Sequence, residues 1–447
     1  MNPENDMRAI FSRALERVDP YEMIKNSIAV EDDTLVISHN GQTLRENLNA
    51  YRDIVAIGIG KASSKMGAAV EDILKERLSG GIVVTKYGHA ERLKGIQVIE
   101  AGHPIPDENS VAGAEALYRI ASRADENTLI INLISGGGSS LLSLPAEGVT
   151  LGDKQETTRV LLESGADIRE INCVRKHISR VKGGRFAHAA FPARMINIIL
   201  SDVVGDRLDS IASGIAVPDD TTYAQAVGIV DKYRIRSVLP ASVVSLLESG
   251  KAGKNPDTPK QGDPVFDRVI NILLGNNLAA CRAARDHGAY LGYRSFLLTS
   301  MLTGEAREAA RFFAAVARDI YRCTSDFAKP ALVVSGGETT VTVKGDGKGG
   351  RNQEMALSFL NDFQEAQDDM EGIHFLSAGT DGTDGPTDAA GALVGPGLLH
   401  RVRSSGLNTG AYLEKNDSYH FFQKAGGLFV TGPTNTNVCD IQLLIVM

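Results

Sequence analysis

The sequence predicts an α/β protein of two domains, each with a sheet covered by helices. Three observations lead there. At 447 residues the chain is too long for one ordinary core. Short, wholly apolar runs alternate with stretches of helical period, the mark of parallel strands buried on both faces. A Gly/Pro/Lys-rich segment, SGKAGKNPDTPKQGDP at 249–264, interrupts the alternation and reads as a linker. Domains are therefore expected at 1–250 and 265–447.

In chain order, MNPENDMRAIFSRALERVDP has early acids and no apolar core, so it reads as an amphipathic helix and not a signal peptide. Asp53–Ile59 is a buried strand and Ala62–Leu78 the helix after it. Gly81–Thr85 and Ile96–Glu100 are further strands. Asp107–Arg123 has helical period behind Pro106, and Thr128–Ile134 and Arg194–Leu200 complete a doubly wound pattern. Beyond the linker, Val269–Leu274, Ser295–Thr299, Ala331–Ser335 and His374–Ala378 read as strands of the second domain, with helices at Glu305–Cys323 and Asn352–Gln364. Two strands are expected at Gly427–Thr431 and Val438–Met447, around a Gly/Pro/Asn turn.

Composition excludes several classes. Hydrophobic residues make up 43% and charged residues 23%, the balance of a globular chain. A net charge of -8 without long runs of one sign argues against nucleic acid as a partner. An anionic small molecule remains compatible, because a few local cations suffice. No stretch approaches the ~20 apolar residues of a membrane span. Cys173, Cys281, Cys323 and Cys439 are scattered, so neither a structural zinc site nor a disulfide framework is expected, and a cytoplasmic setting is. No HExxH or GxSxG occurs, which argues against zinc and serine hydrolases.

Ligands of open α/β sheets bind beyond the carboxyl ends of strands, so the loops there carry the interest. Gly58-Ile59-Gly60-Lys61-Ala62-Ser63 puts a lysine between a strand and a helix. It reads equally as an anion site or as a tight turn with a solvated lysine. It is not a P-loop, since Ala62 stands where Ser or Thr would hold magnesium. Ser135-Gly136-Gly137-Gly138-Ser139-Ser140 follows a buried strand directly. Its glycines permit close backbone approach, which suits a phosphate cradle. Asp202, in SDVVGDR, stands at a strand end where it could meet magnesium or a hydroxyl, whereas Asp206 reads as well as a solvated turn residue. In the second half SGGETT carries Glu338, GGRNQE puts Arg351 and Asn352 at a helix start, and TDGTDGPTD carries Asp384. The last has closely spaced aspartates but no glutamate at the twelfth position of a calcium loop.

Taken in order, GIGKAS, AGHPIPDENS, SGGGSSLL, LSDVVGDRLDSIASG, VPDDTT, SGGETTV, GGRNQE, AGTDGTDGPTDAAG and GPTNTNVCD resemble the class II glycerate kinase family, with a MOFRL-type C-terminal domain. The resemblance implies a larger Rossmann-like N-terminal domain, a smaller α/β C-terminal domain and an active site in the cleft between them. It implies transfer of the ATP γ-phosphoryl group to D-glycerate, giving 2-phosphoglycerate, with a divalent cation. It also implies a catalytic pair, which falls on Lys61 and Arg351. On that footing ATP is expected at Ser135–Ser140, Glu338 and Asn352, and Mg2+ at Asp202 and Asp384. The acid's carboxylate is expected on backbone amides and basic groups of the first domain. No nucleic acid or membrane partner is implied, and a homodimer is one compatible state. The rival reading is an NAD(P)-dependent hydroxypyruvate reductase. Against it stand the missing GxGxxG and a strand that ends in Thr85-Lys86 without an acid.

Overall fold

Apolar strands dominate two six-stranded sheets in the computed structural model, which describes residues 2–324 and 326–447. The chain divides into two compact units, Pro20–Leu274 and Met1–Asp19 with Gly275–Met447.

In the first unit the sheet order is Ile96–Ala101, Gly80–Lys86, Asp53–Ile59, Thr128–Ile134, Arg194–Leu200 and Val269–Gly275. The first five strands pair in parallel. Thr128–Ile134 is buried at every position, as a central parallel strand requires. Helices Ser63–Leu74 and Glu108–Arg123 follow their strands as the periodicity indicates, the second closed by a capping box from Asp107 and Ser110. A buried amide ladder crosses the sheet. Asn132 donates to Asn197 at 2.7 Å, and Asn197 donates to Asn271 at 2.9 Å. Each such amide would be costly without its partner, so the ladder fixes which residues face one another. A separate three-stranded antiparallel sheet, Ile28–Glu31, Thr34–His39 and Gln42–Asn47, has no counterpart in the sequence reading. A helical layer, Leu151–Glu163, Ile168–His177, Tyr223–Lys232 and Ala241–Lys251, has its own apolar core around Val174, Val227 and Leu247.

Two expectations about organisation change. The 249–264 segment is pinned to the first unit and does not act as a linker. Asp257 meets His177 at 2.8 Å, and the Thr258 hydroxyl donates to Asp219 at 3.0 Å. The strand at Val269–Gly275, expected in the second domain, is the sixth strand of the first sheet, reached through Asn271. The break between units thus falls at Leu274/Gly275. The N-terminal helix, Pro3–Arg17, belongs with the C-terminal unit. Its Asp6 accepts from the Tyr293 hydroxyl at 2.6 Å, and Phe11 packs edge-on against Phe429 with ring centroids 5.2 Å apart.

The second unit's sheet is mixed. Its order is Arg294–Leu302, Ala331–Gly337, Asp440–Val446, Ile373–Gly379, Gly391–Val394 and Leu428–Phe429. Asp440–Val446 runs antiparallel to both neighbours and is buried throughout, so its first residue is delivered beside the ends of Ala331–Gly337 and Ile373–Gly379.

Asn197→Ala strands a donor on Asn132 and an acceptor on Asn271. Urea denaturation is expected to show a loss of about 1–3 kcal/mol in the unit holding the first sheet.

Candidate active site

Each unit gathers one constellation at strand ends. In the first, parallel pairing sets the carboxyl ends of Asp53–Ile59 and Thr128–Ile134 side by side. The turns that leave them are tied together. Lys61 donates its N–H to the Gly136 carbonyl at 2.8 Å, and the Ser135 hydroxyl accepts from the Ala62 N–H at 3.0 Å. Only glycine fits at two points. Gly60 has φ 122° and a Cβ there would strike Ser135, while a Cβ on Gly136 would strike the Asp202 carboxylate. Gly137, with φ 82°, lies where a Cβ would come within 3.4 Å of the Lys61 Cγ and 3.0 Å of the His103 Nε2. Lys61, Gly136, Gly137 and Asp202 therefore do share one location. The helix after the loop is a single turn, Gly138–Leu141.

The serines of this loop divide by role. Ser135 is buried against the Lys61 turn and Ser140 donates to the Gly137 carbonyl at 3.2 Å, so both hydroxyls are taken up inside the fold and not held out toward phosphate. Ser139 is engaged by a group of basic side chains: Arg175 donates to its hydroxyl at 2.7 Å and Lys182 at 3.0 Å. His103 was not singled out by the sequence, although it lies in the AGHPIPDENS motif. Burial, with Lys61 and Lys86 adding to it, lowers its imidazole to about 4, so the ring beside Gly137 is neutral at physiological pH. The VPDDTT motif is structural. Asp219 is buried, pairs with buried Lys176 at 3.0 Å and accepts from Thr221 and Thr258.

In the second unit Arg351 opens helix Arg351–Glu365. Asp440 holds it by a two-pronged fork, Nε to Oδ2 at 2.6 Å and Nη2 to Oδ1 at 3.0 Å, while Nη1 meets Glu338 at 2.6 Å. Burial opposes the charge of both members of the Arg351–Asp440 pair: on Arg351 the fork outweighs it and the guanidinium is held still more firmly protonated, while on Asp440 burial prevails and pushes the carboxyl up. Asp440 carried no assigned role in the sequence; its signal was only its place at the end of NVCD. A cavity of ≈ 590 Å³ beside Arg351 is lined by Thr339, Val341, Gly347, Gly349 and Asp381, a size suited to a small-molecule ligand.

Two expected ligand contacts of this unit are engaged elsewhere. Asn352 is 1% exposed; its amide oxygen accepts from Ser377 at 2.7 Å and its nitrogen donates to Asp384 at 3.2 Å, so it braces the helix start from inside the fold. Asp384, expected to hold a metal, accepts the N–H groups of Asn352 and Gln353 and the Asn352 side-chain amide, so it caps the helix. Burial pushes its carboxyl up to about 7 against the pull of those donors. Among the described residues no three His, Cys, Asp or Glu converge as a wholly protein-bound metal would need.

A family described as a domain of unknown function, DUF4147, matches residues 6–248, and the MOFRL family matches residues 331–440. A protein of Pyrococcus horikoshii called glycerate 2-kinase is 42% identical over 438 residues, covering 98% of this chain and 96% of that one. The chain belongs to the glycerate kinase family. A crystal structure of a glycerate kinase from Thermotoga maritima superposes with a TM-score of 0.86 at 39% identity, covering 98% of each chain. A relative in Agrobacterium vitis called a putative hydroxypyruvate reductase is 42% identical over 397 residues, covering 88% of this chain and 87% of that one. No helix among the described residues is long and apolar enough to cross a membrane.

Lys154, beside this loop's cations, yields a pH prediction. Burial, with Arg175 adding to it, lowers its ammonium from 10.5 to about 7. Between those values the unfolded chain binds more protons than the folded one, so the penalty this group places on the fold grows as pH falls from 10.5 toward 7 and fades as pH rises. Lys154→Met is expected to be more stable than wild type at pH 7, with an advantage that shrinks by pH 9 in urea titrations.

Proposed function

We propose that the protein is an ATP-dependent kinase that phosphorylates the 2-hydroxyl of D-glycerate. The observation that carries the reading is Lys61 strapped by its own N–H to the Gly136 carbonyl, with its side chain against Gly137. Phosphoryl transfer asks little covalent chemistry of a protein; it needs positive charge and fixed donors around the moving group. The Lys61 turn and the Gly136–Gly138 loop supply these in the first unit. Arg351, held rigid by Asp440 and Glu338 beside a ligand-sized cavity, supplies them in the second. The names carried by the P. horikoshii and T. maritima relatives support the same substrate.

In the reaction the 2-hydroxyl oxygen bonds to the γ-phosphorus, the bond from that phosphorus to the β–γ bridging oxygen breaks, and ADP departs while the hydroxyl proton is released. Lys61 and Arg351 each stabilise charge on the transferring group. His103, neutral beside Gly137, adds a polar contact without a competing charge. Magnesium usually keeps several waters and binds through one or two carboxylates together with substrate phosphates. Asp202, against Gly136, fits that pattern; Asp384, occupied as a helix cap, fits it poorly. A divalent cation held by Asp202 would neutralise phosphate charge.

Lys61→Ala is expected to lower kcat at least about 100-fold, the range for losing a preorganised charge. Near-full kcat in that variant excludes the assigned role. Phosphorus NMR of the product, or coupling to enolase, is expected to report 2-phosphoglycerate. Oxidation of reduced nicotinamide by hydroxypyruvate at a comparable rate, without consumption of ATP, would favour the reductase reading instead.

A further inference from the structure

Beside the same glycine loop lies a group of buried basic side chains that the reading above does not use. Lys182 is fully buried and donates to the Ser139 carbonyl at 2.6 Å and to its hydroxyl at 3.0 Å. Arg175, only partly exposed, donates to the same hydroxyl at 2.7 Å. Lys154 is 4% exposed and donates to the Ser143 hydroxyl at 3.1 Å. The three repel one another, and among the described residues none of them forms an ion pair with Asp or Glu.

This contrasts with their neighbour. Lys176, on the same helix as Arg175, is equally buried and is matched by Asp219. The fold therefore neutralises a buried cation where it can and leaves three together where it does not. Burial and the neighbouring cations hold Lys154 and Lys182 below the ordinary lysine pKa, and an anion seated among the three would favour their charged forms. Ser139 shows where that ligand would stand. Its hydroxyl already accepts from two cations, which leaves its proton to donate, and its one hydroxyl neighbour, Ser213 Oγ, is 2.7 Å away. Ser213 is put there by a strained backbone, with Ala212, Ser213 and Gly214 at φ 49°, 59° and 65°. A run of left-handed residues of which two are not glycine is sustained only by its surroundings, as at ligand-binding sites.

We infer that Arg175, with Lys182 and Lys154 behind Ser139, anchors the carboxylate of the acceptor acid and thereby determines which hydroxyl is phosphorylated. The inference rests on the kinase reading and deepens it. Ser139 lies two residues from Gly137, the point at which Lys61 and His103 meet the loop, so the two positions are at most about 7 Å apart. In a 2-hydroxy acid the carboxylate is bonded to the carbon that bears the reacting hydroxyl. A kinase selecting that hydroxyl must therefore hold the carboxylate within a few bond lengths of the transferring phosphoryl group. A loop that meets Lys61 at Gly137 and a carboxylate-free group of basic side chains two residues on, at Ser139, is compatible with that requirement. Arg175 contacts the ligand, while Lys182 acts through Ser139 and Lys154 through the local potential.

The test compares wild type with Arg175→Met, Arg175→Lys and Lys182→Met. It uses steady-state kinetics for both substrates, calorimetric binding of D-glycerate without nucleotide, phosphorus NMR of the product, and thermal unfolding. Loss of a charged hydrogen bond is worth about 10- to 100-fold in affinity. Arg175→Met is thus expected to raise the KM and Kd for D-glycerate by at least about 10-fold while leaving the KM for ATP within about threefold, and to yield some 3-phosphoglycerate. Arg175→Lys should recover part of the affinity. Lys182→Met should bind D-glycerate more weakly while the KM for ATP stays within about threefold, a split that a purely structural lysine would not give.

An unchanged affinity for D-glycerate in Arg175→Met, or a rise in the KM for ATP as large as that for the acid, overturns the anchor; the latter would assign the cations to nucleotide phosphates. Glycerate binding left intact in Lys182→Met also overturns it. If wild type fails to turn D-glycerate over, the kinase reading fails separately. The anchor then stands if calorimetry shows D-glycerate binding that Arg175→Met weakens, and falls if it does not.

Discussion

The close approach of two turns at the ends of adjacent parallel strands is the constraint on which the first constellation depends. Strands Asp53–Ile59 and Thr128–Ile134 pair in register, so the backbone leaving one must pass within hydrogen-bonding distance of the backbone leaving the other. The Lys61 N–H and the Gly136 carbonyl meet there, and Gly60 and Gly136 lack side chains where a side chain would prevent the contact. Parallel strands bring their carboxyl ends to one edge, which is why ligands gather there. Here that edge receives a lysine, a neutral histidine, an aspartate and three glycines from segments far apart in the chain.

The second constellation reaches rigidity by another route. Arg351 is not set by a glycine contact but by a buried carboxylate that accepts from two of its nitrogens. Asp440 can do this because an antiparallel strand enters between two others and places its first residue at their ends. Asp384 and Asn352 then hold the start of the helix that carries the arginine. A guanidinium fixed in this way loses little freedom on meeting a phosphoryl group, and preorganisation of that kind is what electrostatic catalysis requires.

Much of this was legible in the sequence where a short-range signal existed. Buried parallel strands are continuous apolar runs, and Asp53–Ile59, Thr128–Ile134 and Arg194–Leu200 have the expected limits. Glycine loops directly after such strands pointed to Lys61, Gly136 and Gly137. What escaped was decided by distant partners. The Gly/Pro/Lys composition at 249–264 is that of a linker, yet Asp257 and Thr258 find His177 and Asp219, from roughly the middle of the unit. The strand at Val269–Gly275 has the same pattern whichever sheet it joins; Asn197 decides. Lys154, Arg175 and Lys182 look in sequence like solvated residues on helices and turns, and only packing removes them from water. Asn352 and Asp384 have the chemistry of ligand contacts, but a helix N-terminus uses it first.

The central claim is that the transferred phosphoryl group is held where Lys61 meets the glycine loop. A crystal structure with D-glycerate and a non-hydrolysable ATP analogue tests it most directly. The account predicts the γ-phosphate within hydrogen-bonding distance of the Lys61 ammonium and the Gly137 backbone. A triphosphate lying away from both, with Lys61 turned to solvent, would contradict it.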